Sequence, residues 1–199
     1  IGGDVTSKGA PEMFRALAKI DGEFKNWKYV CKSWPSDNAR AHNMDELRLI
    51  KELGLDKDKI IFMEGCFSRE FMPYFLNAAD IYAAPSRIEG FGMIQVEAML
   101  CGKPVISIDA MGCKDTIVHG KTGYLANVAS EVKLMEEWVY PWMGFDKRMV
   151  IQFNQPKTFA LKADVDQLAE YTLKMLTDDE LRDKLGRQAR EHAAEKFGY

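Results

Sequence analysis

The 199-residue chain contains no apolar run approaching the roughly 18 residues of a membrane-spanning helix, and no signal peptide is visible. These absences lead us to expect a cytoplasmic protein; attachment to a membrane surface stays open but unsupported. There is no Cys-x-x-Cys or His-Glu-x-x-His spacing, so no bound metal is expected. Cys31, Cys66, Cys101 and Cys113 are widely spaced in a chain too large to need staples, and they read as reduced thiols. No Gly-x-Gly-x-x-Gly follows the first strand, which speaks against a dinucleotide cofactor. Internal repeats and low-complexity linkers are missing too, so residues 1–199 read as one domain. The net charge of −3 is a poor match for nucleic acid, although a local basic patch can still hold a phosphate. His42, His119 and His192 have no carboxylate or nucleophile partner in view; the first and last read as surface residues and His119 as a turn residue.

What remains is 47% hydrophobic and 29% charged, the balance of an ordinary globular domain. Short apolar runs at Trp27–Cys31, Ile60–Met63, Ile81–Ala84 and Pro104–Ile108 lack the polar alternation of half-exposed strands, so they predict strands buried on both faces. Helical patterns over Pro11–Ile20, Met44–Leu53, Ser68–Ala78 and Ile94–Cys101 separate them, with Gly54 and Gly102 placed to end helices. The predicted fold is α/β, a doubly wound, Rossmann-like parallel sheet. Ligands in such sheets bind beyond the carboxyl ends of the strands. Residues 131–158 look less regular. Within them Val132–Trp142 is amphipathic and aromatic-rich, and Trp138–Phe145 reads more readily as a helix packed on the core than as a contact for lipid or acceptor. Helices are predicted over about 164–197, introduced by Asp164-x-x-Gln167 and by a capping box at Thr177-x-x-Glu180.

The chemistry concentrates in Ala84–Glu97. A buried strand ends at Ala84 and a helix begins near Met93, with Gly90 and Gly92 freeing the turn between them. First-turn amides of a helix lack internal partners and favour phosphate or hydroxyl-rich ligands. Glu89 and Glu97 flank the turn, and carboxylates accept hydrogen bonds from vicinal sugar hydroxyls. This segment resembles the motif of the GT-B retaining glycosyltransferases, the large group-1 (family 4-like) set that uses nucleotide-activated sugars. Ser86, Glu89, Gly90, Phe91, Gly92, Glu97, Ala98, Gly102, Pro104 and Val105 match it as they stand. The resemblance implies the C-terminal half of a GT-B architecture. Glu89 would contact the donor sugar, Glu97 the ribose, and the amides of Gly90, Phe91, Gly92 and Met93 the sugar or diphosphate.

Gly2–Gly9 is similar to the family's Gly-Arg…Lys-Gly loop, in which Arg and Lys clamp the diphosphate. Lys8 matches the Lys, but Gly3 stands where the Arg belongs. Arg87 or Lys32 could supply the missing charge, Arg87 first; it could equally pair with Glu89. Cys66 and Phe67, after the strand at Ile60–Met63, fall where the family holds the nucleobase, and Phe67 could equally staple the following helix. Asp109–Leu125 resembles a glycine-rich family loop, with Cys113 and Asp115 replacing its usual Gly and Glu. Asp56-Lys57-Asp58 and Asp164-Val165-Asp166 imitate a metal-binding Asp-x-Asp but sit where aspartates cap.

The expected function is therefore donor binding in a retaining glycosyltransferase, with a nucleotide diphosphate sugar as donor and no cofactor. Glu89 and Lys8 form its catalytic centre. Because the chain starts at Ile1, it reads as part of a longer protein whose N-terminal domain would carry the acceptor site, and the isolated chain should be inactive. The alternatives are a non-catalytic sugar-nucleotide-binding module or a GT-B epimerase.

Overall fold

The computed structural model describes residues 7–33 and 37–198, with side chains in the second stretch from residue 44 onward. Gly3 and the side chain of His42 lie outside the described residues. In chain order the elements are α1 (Ala10–Ile20), β1 (Tyr29–Ser33), α2 (Asp37–Glu52), β2 (Ile60–Glu64), α3 (Met72–Asn77), β3 (Tyr82–Ala83) and α4 (Met93–Leu100). There follow β4 (Val105–Ile108), α5 (Met111–Thr116), β5 (Gly123–Ala126), β6 (Val128–Val139), β7 (Met149–Ala163), α6 (Val165–Thr177) and α7 (Asp179–Phe197).

The first five strands pair in parallel, β1 with β2 and β3 with β4 with β5. Tyr29 of β1 donates its hydroxyl to the carbonyl of Ala83 in β3 at 3.1 Å and so ties the two ladders together. Every residue of β4 is buried, and its side chains alternate between two cores. Ile106 and Ile108 join Phe14, Leu17 and Leu168, whereas Val105 joins Val96, Met99 and Ala189. Helices α1 and α6 pack together over the first core, and α4 with α7 over the second. This is the helix–sheet–helix layering that continuous apolar strands require. Phe14 is the pivot of the first core, with its ring edge-on to Tyr29 (5.9 Å) and Phe62 (6.5 Å).

Some expectations need correction. Residues 132–139 belong to β6, which pairs antiparallel with β7 in a long ribbon that covers the stretch read as irregular, and Pro141–Met143 form a turn of 3₁₀ helix. The aromatic segment Trp138–Phe145 therefore lies at the far end of that ribbon instead of packing on the core, with Trp138, Trp142, Met143 and Phe145 exposed. Helix α3 starts at Met72, not Ser68, because Pro73 fits its first turn and Ser68 caps a preceding turn through Phe71 N. The cap of α7 is Asp178, whose carboxylate accepts from Leu181 N at 2.9 Å, while Thr177 still belongs to α6 and bonds back to Leu173 O. The other capping expectations hold: Asp164 accepts from Asp166 N and Gln167 N, and Asp56 accepts from Asp58 N. His119 is more than a turn residue. Its Nδ1 accepts from Leu125 N, and its ring stands edge-on to Tyr124 and Tyr171.

Candidate functional site

The loop before α1 and the loops after β3 and β4 converge because two glycines allow their backbones to touch. Gly9 begins α1 at φ +79°, and a Cβ there would lie 2.1 Å from the carbonyl oxygen of Pro85. Gly112, in the first turn of α5, would place a Cβ 2.2 Å from Gly90 O and 2.5 Å from Phe91 Cα. Any side chain at either position would force the loops apart. Backbone bonds complete the junction: Arg87 N donates to Ser7 O at 2.8 Å, and Leu161 N of β7 donates to Arg87 O at 2.9 Å.

The convergence brings Lys8 and Glu89 together across 81 residues of sequence, Nζ to Oε2 at 2.6 Å, both largely shielded from water. The other oxygen of Glu89 accepts from Gly92 N at 3.1 Å. Burial pushes the Glu89 carboxyl upward, but Lys8 and the amides of Gly92 and Gly90 outweigh it, so its pKa lies below the ordinary range. The expectation that these two amides meet a ligand is thus modified. In this structure they are turned onto Glu89. Beside the pair lies a cavity of about 280 Å³, lined by Lys8, Tyr82, Ser86, Glu89, Phe91, Gly92, Met93 and Gln95 among others. Its floor is braced by Gln95, which hydrogen-bonds Thr116 of α5.

Arg87 does not join this group, nor does it pair with Glu89. Its Nε and Nη2 grip both oxygens of Glu12 at 3.0 and 2.7 Å, with the Glu12 side chain only 5% exposed. A buried carboxylate demands a paired cation, and the flat guanidinium fork supplies it. Glu12 is the residue the sequence reading missed. Its signal was an acidic residue on the apolar side of an amphipathic helix, in the first turn of α1.

Glu97 stands on α4 outside the cavity and largely in solvent. Burial raises its pKa, and Arg69, in the segment after β2, partly offsets this. In that region Cys66 is exposed, whereas Phe67 packs against Phe71 (4.9 Å) and Phe75 (6.0 Å); it stands four residues before the N-cap Phe71, too far back to be the staple of α3. The ammonium of Lys32 lies 5.5 Å from the Phe67 ring centre. Cys113 is buried beneath the site, and burial pushes its thiol pKa up. Among the described residues no cluster of three or more His, Cys, Asp or Glu side chains has the arrangement of a metal site.

The family described as Glycosyl transferases group 1 matches residues 1–138. A D-inositol 3-phosphate glycosyltransferase of Mycolicibacterium smegmatis is 34% identical over 119 residues, which cover 59% of this chain and 26% of that protein. An N-acetyl-alpha-D-glucosaminyl L-malate synthase of Bacillus anthracis is 26% identical over 151 residues, 76% of this chain and 30% of that one. The chain thus spans less than a third of the length of these curated relatives. Among solved structures, the C-terminal domain of the group 1 protein LpcC from Francisella tularensis superimposes with a TM-score of 0.72 at 22% identity, covering 99% of this chain and 83% of that one. Anabaena Alr3699/HepE in complex with UDP-glucose does so with a TM-score of 0.70 at 21% identity, covering 96% and 42%. With the family match covering more than half of its residues, the chain belongs to the group 1 glycosyl transferases.

Proposed function

We propose that this chain is the donor-binding domain of a retaining glycosyltransferase, which transfers a sugar from a nucleotide diphosphate sugar to an acceptor bound by a preceding domain. The observation that carries this reading is the Lys8–Glu89 pair at the mouth of a cavity beyond the strand ends. A diphosphate leaving group needs positive charge where its own negative charge develops, and Lys8 offers an ammonium there. Glu89 is an ionised acceptor of the right kind for sugar hydroxyls, held in place by the Gly92 amide. Glu97, set apart on α4, is assigned to the ribose, and the Cys66–Phe67 segment to the base, so the nucleotide would lie along α4 from the cavity toward Arg69. Arg87 acts indirectly, by fixing its loop against Glu12. In this scheme Lys8 and backbone amides stabilise the leaving group, with no metal assigned. The same model on the other side of the reaction implies turnover only in a protein that also carries an acceptor site.

Calorimetric titration with a panel of nucleoside diphosphates and their sugar conjugates tests the reading. Lys8→Ala should weaken binding about 10- to 100-fold, the worth of a charge-assisted hydrogen bond. Glu89→Ala should weaken sugar conjugates more than bare nucleotides, and Glu97→Ala should weaken both. Absence of binding to the whole panel, or binding indifferent to all three changes, overturns the assignment.

A further inference from the structure

The tasks given to Lys8 and Glu89 leave one wall of the 280 Å³ cavity without a role, and that wall is Tyr82 of β3. Its backbone N donates to Pro104 O at 3.1 Å, and it stands opposite Val105 of β4. Side chains alternate along the strand, so Tyr82 and Ala84 join the second core, with Val96 and Met99, while Ala83 packs against the first. The ring is thereby sent beneath the start of α4, where the cavity also touches Gly92, Met93, Ile94 and Gln95. Tyr82 is 9% exposed. Among the described residues its hydroxyl has no hydrogen-bond partner, yet it is not sealed in the interior, so it opens on the cavity. Tyr29 shows the alternative, a hydroxyl satisfied within the fold by Ala83 O.

A hydroxyl drawn out of bulk water without a partner costs free energy, and phenylalanine would fill the same core space without that cost. Burial raises the pKa of the phenol, and Glu89 is the first of the charges that add to this, so near neutral pH it keeps its proton and can donate. Lys8 only donates and the ionised Glu89 only accepts, whereas a phenol does both. We propose that Tyr82 sets donor specificity: its hydroxyl bonds one hydroxyl of the donor sugar while Glu89 accepts from another. The inference rests on the donor-site reading above and adds to it which neutral group the cavity takes. A volume of about 280 Å³ is at the low end for small-molecule pockets, about 300–1,000 Å³, so a single sugar-sized group meets both side chains. A phosphate in the same place would lie against the Glu89 carboxylate. Ser86, 2% exposed, lines the cavity as well and serves as the control.

Calorimetric titration of wild type and Tyr82→Phe with UDP, GDP, ADP and dTDP and their hexose conjugates tests it. Tyr82→Phe should bind the nucleoside diphosphate unchanged and its sugar conjugate about 3- to 10-fold more weakly. It should melt at or above the wild-type temperature, since no internal bond is lost. Analogues of the bound conjugate that each lack one sugar hydroxyl add a second readout. At one position the loss should weaken wild-type binding about 3- to 10-fold and leave Tyr82→Phe nearly indifferent, while Ser86→Ala still feels it. A purely structural role for Tyr82 produces no such coupling. Equal weakening of diphosphate and conjugate, a lower melting temperature, or the absence of a coupled position overturns the inference and leaves the donor site standing. Wild-type chain that binds none of the panel overturns the donor-site reading and this inference together.

Discussion

At the scale of single residues, the site depends on what is missing as much as on what is present. Gly112 lets α5 lie directly against the Gly90–Phe91 backbone. Gly112→Ala should therefore push that loop outward, lowering the stability of the chain by about 1–3 kcal/mol in urea unfolding and weakening donor binding more than an equally destabilising core change does. Arg87 and Glu12 show the opposite dependence, on partnership. Removing the cation alone in Arg87→Ala leaves a buried carboxylate uncompensated and should cost about 3–5 kcal/mol. Coupling it with Glu12→Gln should restore much of that loss, a result readable in a double-mutant cycle. Lys8 and Glu89 were legible in the sequence because each sits in a short motif with its own glycines. Glu12 was not, because its partner Arg87 lies 75 residues away and the place of an acidic residue on the apolar side of α1 does not by itself name a partner.

At the scale of elements, legibility followed burial. Strand β4 was readable because both of its faces are buried and apolar, and helix α1 because its buried face is apolar apart from Glu12; β2, expected to be buried on both faces, exposes Ile61. The ribbon escaped because only its base, at Leu161 and Ala163, meets the core. Its pairing also shifts between Val128 and Ser130, between Val132 and Lys133, and between Leu134 and Glu136, and each shift resets the two-residue period. The starts of α1, α4 and α7 were readable to within a residue, with Thr177 and Asp178 competing for the last of these, whereas α2 begins at Asp37 instead of Met44 and α3 at Met72 instead of Ser68. Asp178 both ends α6 and begins α7. Asp178→Ala should cost about 1 kcal/mol, visible as a lower urea midpoint, whereas Thr177→Ala should cost less.

For the whole molecule, stability at low pH has an identifiable contributor at the end of α1. Asp21 receives Lys25 at 2.8 Å and Lys59 at 2.7 Å, and Trp27 Nε1 at 3.0 Å, which ties α1 to the turn before β2. Lys25 first and Lys59 second lower its pKa from 3.8 to about 2. A depressed carboxylate contributes its full stabilisation above its unfolded pKa, and the contribution is lost as the pH falls from about 4 through 2. After allowance for solvent screening this amounts to about 1 kcal/mol. Urea midpoints measured at neutral pH and near pH 3 should converge for Asp21→Asn relative to wild type.

The pairing of Lys8 with Glu89 also bears on which molecules the chain ignores. A pocket in which Glu89 already neutralises the Lys8 ammonium has little field with which to draw in a bare anion. Inorganic phosphate that captured Lys8 would leave the Glu89 carboxylate in a partly shielded place without its counter-charge, held by backbone amides alone. A sugar conjugate supplies both halves of the exchange, an anion for the ammonium and hydroxyl donors for the carboxylate. The closed pair would thus work as a filter against the abundant phosphate of a cell, and competition by phosphate should become measurable once Glu89 is changed to Gln.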